Sequence, residues 1–301
     1  MTRRPAAMPR RRAGVWPFTA GSPWNTPIGS GATYTSSSDP ATASILNTTY
    51  GPGINHDNWS HPIDFATNSD PLCTVTEDGG RQIIYRIPSS ATPDPQGDAH
   101  MHVISPDGLT VYEQWLMART SSTTFSCGYE VTTSLYSDGL NGGVRAYGGS
   151  AIGGLIRKHE IANRHIPHPI AFAIQGAQLK QGWVWPASTE DGDSASSYTG
   201  QAPMGTLVAI PPAVDITTLG LNADALALAR AFQDYGGYVT DRGGGFTCYV
   251  ENGADGTRVG NMSAGLATIR AQVRRVSNNT AGNVGGGGVR RRPAAPRLSA
   301  G

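Results

Sequence analysis

Gln96-Gly97-Asp98-Ala99-His100-Met101-His102-Val103-Ile104-Ser105-Pro106-Asp107-Gly108-Leu109-Thr110-Val111-Tyr112-Glu113-Gln114-Trp115-Leu116-Met117 is the stretch whose reading decides the fold. Two runs of alternating apolar, β-branched and aromatic residues flank Pro106-Asp107-Gly108, the pattern of a β-hairpin. Proline presets the first corner of a turn and glycine accepts the left-handed conformation that closes it. Successive strand residues face opposite ways, so Asp98, His100 and His102 share one face while Met101 and Val103 share the other. Pro-Asp-Gly suits a three-residue loop with a bulge at Gly108, which would set Tyr112 and Gln114 opposite His102 and His100. A strict two-residue loop would place Glu113 and Trp115 there instead. Strand histidines are often merely solvated or bonded to a backbone carbonyl. Three titratable groups at period two, beside Tyr112, Glu113 and Trp115, favour a site.

Outward from the hairpin, the composition is that of a turn-rich β protein. The 301 residues include 39 glycines, 21 prolines and only two lysines. Short strands are expected at Cys73–Val75, Gln82–Ile87, 123–129, 131–136, Ile170–Ile174, Thr206–Ile210, Tyr238–Thr240 and Phe246–Val250. The clearest helix is Asn222–Tyr235, with Asn222 as cap, Leu226, Ala229 and Phe232 along one side, and Gly236-Gly237 as stop. Shorter helical patterns lie at Asp39–Leu46 and Ser263–Val276. No internal repeat or interior linker is visible. The expectation is a mainly β chain, a β-sandwich or jelly-roll-like domain with a few short helices, spanning residues 15–280 as one unit.

The net charge of +1 conceals a division. Residues 1–14 carry five arginines and residues 282–301 carry four, with no acid in either, which leaves 14 basic against 22 acidic residues in the body. An acidic body is a poor general partner for nucleic acid, and the short Arg/Pro/Ala/Gly ends read as disordered tails, 1–14 and 281–301. No apolar run reaches the eighteen or so residues of a membrane span, so membrane insertion is not expected. The charged start lacks the apolar core of a signal peptide. Cys73, Cys127 and Cys248 have no metal-binding spacing; either one pair bridges, or all three are isolated buried thiols.

Phosphate-cradling glycine motifs are absent from Gly148–Gly154, and Gly148-Gly149-Ser150-Ala151-Ile152 lacks the closing glycine of a serine nucleophile elbow. Nucleotide binding and serine esterase chemistry are set aside on those grounds.

Several segments together resemble a family of bacterial extracellular proteins often joined to carbohydrate-binding or immunoglobulin-like modules. They are Ser22-Pro23-Trp24-Asn25-Thr26-Pro27, Asp98-Ala99-His100 with Tyr112-Glu113, Gly154-Leu155-Ile156-Arg157 with Glu160 and His168, Trp183-Val184-Trp185-Pro186, Pro203-Met204-Gly205, and Tyr235-Gly236-Gly237-Tyr238-Val239-Thr240-Asp241. The resemblance covers most of residues 22–250 and implies work on a polysaccharide. It also implies an extracellular location, and the missing signal peptide suggests carriage on a virion.

Hydrolysis of a glycosidic bond uses two carboxyl groups, one protonated and one ionised. Asp98, Glu113, Glu160 and Asp241 are the candidates. For β-elimination on a uronic-acid polymer, Arg157 or a histidine would neutralise the sugar carboxylate, and His100, His168 or Tyr112 would remove the proton. A divalent metal on Asp98, His100 and His102 is a further option, though none is required by the sequence. Trp115, Trp183, Trp185 and Tyr147 offer flat faces for sugar rings, against the plainer reading that tryptophans fill a core. The resulting site is Asp98, His100, Glu113, Arg157, Glu160 and His168 for chemistry, with His102, Tyr112, Trp115, Trp185 and Asp241 holding the glycan. A glycoside hydrolase comes first, a polysaccharide lyase second. A non-catalytic glycan-binding or virion surface protein is the competing class.

Overall fold

The computed structural model describes residues 10–299. Among them are sixteen strands in several sheets and five α-helices, with no sheet closed into a barrel. The expectation of a mainly β chain with few helices is met at that level.

The hairpin forms as Met101–Ile104 and Thr110–Trp115. Its register differs from the bulged one expected: His102 pairs with Glu113, Met101 with Gln114 and Val103 with Tyr112. The ladder closes one step further out, where Ser105 N–H donates to the Thr110 carbonyl at 2.9 Å. Asp107 Oδ1 then organises the loop, accepting from Leu109 N–H at 3.0 Å and Ser105 Oγ at 2.6 Å. Gly108 takes its left-handed φ of 71° inside this loop instead of forming a bulge after a shorter one. A one-residue change of register reverses faces. Glu113 therefore shares the histidine face, and Tyr112 turns away to stack on Tyr85 with ring centroids 3.9 Å apart.

Ile63–Phe65 adds in parallel beside Met101–Ile104, pairing Ile63 with His102, and Tyr129–Ser134 completes a four-stranded sheet. A second four-stranded sheet runs Gln82–Arg86, Leu72–Glu77, Thr124–Cys127, Ala118–Arg119. Met101 and Val103 share a buried cluster with Cys73, Val75, Tyr85, Phe125 and Cys127 from that second sheet. The opposite side of the hairpin sheet, through Ile104 and Val111, joins the larger core. All three cysteines are free and buried.

The larger core surrounds a mixed six-stranded sheet in the order Gly53–Asn55, Thr247–Tyr249, Ile170–Ile174, Gly237–Arg242, Leu207–Ala209, Arg274–Arg275. Ile170–Ile174 is apolar throughout and buried throughout, as a strand paired on both edges and covered on both faces must be. The helix expected at 222–235 spans Ala223–Asp234, with Asn222 accepting from Asp224 and Ala225 N–H. The last helix runs Gly256–Gln272, beginning earlier than its apolar pattern because Asp255 caps it through Thr257 and Arg258 N–H. The two helices touch closely at Gly265, where a Cβ would stand 2.4 Å from that of Ala225.

Parts of the chain ends read as tails are ordered here. Arg11 is buried and pairs with Leu298 in a parallel bridge, and Tyr136 Oη donates to the Ser299 carbonyl at 2.8 Å. Gly29 N–H donates to Gly285 and Arg291 N–H to Ile28. Residues 1–9 and 300–301, the remainder of those expected tails, lie outside the described residues.

Candidate functional site

Three pieces of chain meet where the hairpin sheet faces the six-stranded sheet. The first is the open end of the hairpin, where Asp98 and His100 lead into its first strand and Trp115 ends its second. The second is the end of Gly237–Arg242, which carries Asp241 and Arg242. The third is the loop 142–148, which carries Arg145 and is tied to the same strand by Tyr147 N–H donating to the Thr240 carbonyl at 3.2 Å. Between them lies a cleft of about 660 Å³, lined also by Tyr129, Glu190 and Asp191. That volume falls in the range of sites that hold a small molecule or a few sugar rings.

Trp115 and Tyr129 stand exposed at one side of the cleft, and Trp115 Nε1–H donates to Asp98 Oδ1 at 3.2 Å. Asp241 keeps 20 % of its side chain exposed, yet burial raises its carboxyl above the ordinary range. Arg145, 2.6 Å away, pulls the other way, while Asp191 and Asp98 push the carboxyl up further. Arg242 is held by Asp193 at 2.9 Å.

Behind the cleft wall lies a buried basic cluster. Arg145 has its guanidinium carbon 3.7 Å from the Tyr249 ring centroid and also contacts His61 Nε2. Guanidinium has no acceptor, so His61 Nε2 must accept and its proton sits on Nδ1. His61 Nδ1 then donates to His102 Nε2 at 2.7 Å. His102 carries its own proton on Nδ1, where it has no partner among the described residues. His100 Nδ1 donates to the Gln114 carbonyl at 3.1 Å, which leaves Nε2 as a lone pair on the residue that lines the cleft. Burial, followed by the charge of Arg145, lowers His100 to about 3. His61 and His102 are likewise driven well below the usual imidazole value, burial first. All three rings are neutral at physiological pH.

The other residues singled out from the sequence lie elsewhere. Glu113 is wholly buried and anchors the 150s loop, accepting from Ser150 Oγ and from Ala151 N–H at 2.7 Å; burial raises its carboxyl to about 7. Arg157, Glu160 and His168 form a separate buried network around the helix Lys158–Asn163. Arg157 pairs with Glu251 at 2.8 Å, Glu160 accepts from Arg157 N–H at 2.8 Å, and His168 Nε2 lies 3.0 Å from Glu160. The void these three line is about 10 Å³, room for a single water and not for a sugar. Burial would lower His168, but the Glu160 charge and hydrogen bond raise it overall. Tyr112 is on the far face of its sheet, His102 is sealed behind the wall, and Trp185 is half-buried away from the cleft lining.

The structure thus brings together Asp98, His100, Trp115 and Asp241 and separates them from Glu113, Arg157, Glu160, His168, Tyr112 and Trp185. Sequence reading missed His61, Arg145, Asp191, Arg242 and Tyr249. For His61 a faint signal exists, a histidine and proline opening a short apolar strand. A lone arginine after Gly142-Gly143 offers none.

Comparison with protein families, with curated proteins and with solved structures gives no match for this chain.

Proposed function

We propose that this protein degrades a polysaccharide outside the cell or from a virion, hydrolysing a glycosidic bond in the cleft between Asp98 and Asp241. Within that reading, the two four-stranded sheets that share a buried cluster serve as a sandwich-like support for the hairpin. The observation that carries the proposal is the convergence of Asp98, Asp191 and Asp241 in an open cleft beside exposed Trp115 and Tyr129. Asp241, raised by burial and by its acidic neighbours, is the proton donor to the leaving oxygen; Asp98 supplies the second carboxyl group of the same cleft. Trp115 and Tyr129 give a sugar ring flat apolar faces.

Elimination is the second reading, favoured by the lone pair of His100 Nε2 on a residue that lines the cleft, although its value near 3 makes it a weak base. It ranks second because a uronate needs an accessible, uncommitted cation, whereas Arg145 is buried and Arg242 is held by Asp193. The four cleft carboxylates suit a neutral or cationic glycan better than an acidic one.

Incubation with a panel of neutral, cationic and uronic-acid polysaccharides tests the proposal. New reducing ends without an ultraviolet-absorbing unsaturated product support hydrolysis. Unsaturated ends indicate elimination, and retention on a polymer without cleavage indicates a glycan-binding protein; either result replaces the hydrolytic reading.

A further inference from the structure

We infer that His61, His100 and His102 bind a divalent first-row transition ion, zinc by preference, with a coordination position left open toward the cleft. One ring nitrogen from each histidine can be chosen so that all three atoms lie within 4.8 Å of one another. Three imidazoles with one open position is a ligand set that zinc uses for catalysis, and imidazole suits the later first-row metals in general.

The hydrogen bonds leave the rings close to the state a metal needs. His100 donates Nδ1–H to a backbone carbonyl, the outer contact that commonly orients a metal-binding imidazole, and so presents Nε2. His102 Nε2 is also a lone pair, occupied only by the proton of His61. His61 supplies the third donor by moving its proton from Nδ1 to Nε2, which requires the Arg145 guanidinium to withdraw from Nε2. The 2.7 Å between His61 Nδ1 and His102 Nε2 then opens to about 3.3 Å, the edge expected for metal–nitrogen bonds of about 2.0–2.1 Å.

Arg145 is what the ion works against, because it contacts His61 Nε2 and carries a positive charge. It is held in that position by Asp241 at 2.6 Å. The arginine therefore weakens the site, and removing it should strengthen binding. A bound ion would polarise an oxygen lying in the cleft against the wall formed by His100. The inference stands apart from the glycan reading, since metal binding is measured without any sugar.

The experiment uses the full chain, stripped with chelator and titrated with Zn²⁺ and with Co²⁺ by equilibrium dialysis and visible absorption. One equivalent per chain is expected, with Co²⁺ giving the intense bands of a four- or five-coordinate site. His100→Ala, chosen because the ring is at the cleft wall, should weaken binding by at least the ~10–100-fold that losing even an outer partner costs, and should abolish the bands. Its thermal melt, matched to wild type, guards against simple misfolding. Arg145→Gln should bind more tightly than wild type. Absence of a stoichiometric site, or cobalt bands that persist unchanged in His100→Ala, would overturn the inference whatever the outcome with polysaccharides.

Discussion

His61 Nδ1 lies 2.7 Å from His102 Nε2, although the two residues are 41 positions apart and neither is exposed to solvent. The parallel pairing of Ile63 with His102 sets His61 two residues upstream, alongside the approach to the hairpin where His100 sits. A strand of three residues thus controls whether the cleft wall is built of one imidazole or a cluster. Shortening or displacing that strand would disturb the site without touching a cleft residue.

Asp241→Asn should lower kcat on a cleaved polysaccharide by about 10²–10⁴-fold, the usual worth of a positioned proton donor. The donor acts in its protonated form, so wild-type activity should fall as pH rises through the elevated Asp241 value, and that limb should vanish in the variant. A pH–rate profile with the limb intact in Asp241→Asn would assign the proton to another group.

Glu113→Gln should raise stability at pH 8 and leave cleavage unchanged. A carboxyl raised from 4.5 to about 7 favours the protonated form in the folded state. Its contribution is therefore present at acid pH and is lost as pH climbs from about 4.5 to 7, at a cost on the order of 3 kcal/mol above that window. Glutamine keeps the shape, accepts from Ala151 N–H and donates to the Ser150 hydroxyl. Urea denaturation at several pH values reads this directly: the variant's stability should be flatter with pH than that of wild type.

Arg157→Met should destabilise the fold by on the order of 3 kcal/mol, because buried Glu251 loses its guanidinium partner and keeps only the half-exposed Lys158. Arg157 lines no part of the cleft, so the KM of the surviving folded protein should match wild type. A raised KM with unchanged melting temperature would return Arg157 to the site.

Trp115→Ala should weaken glycan binding by about 5–10-fold, the loss of one aromatic face. Trp185→Ala, away from the cleft lining, should leave affinity unchanged. Affinity electrophoresis in polysaccharide gels compares the two, and equal retardation of both variants would place the sugar elsewhere.

Local elements were legible wherever the signal was local. Asn222 announced a helix because a cap bonds residues two and three positions on. Asp255 caps the last helix in the same way, but the pattern was legible only from Ser263, because Gly256, Gly260 and Gly265 disfavour helix until tertiary packing repays it, as the close contact at Ala225 does here. The hairpin was legible and its register was not. Asp107 bonds both Ser105 and Leu109 and holds a longer loop than Pro-Asp-Gly alone suggests.

Chemistry-bearing residue types were also visible, but a residue type does not report its surroundings. Glu113, Glu160 and Asp241 are all acids near turns, and only their packing sets one in a cleft and the other two in buried networks.

By itself the sequence determined a β-rich chain, its principal helix, free thiols among its possibilities, and a histidine-bearing hairpin, because these depend on alternation, caps and turns within a few residues. Tertiary structure alone decided that His61 joins His100 and His102, that Arg145 and Asp241 meet, and that Arg157 and His168 do not reach the cleft. Those outcomes depend on strand pairing and sheet packing between segments far apart in the chain, which no local pattern encodes.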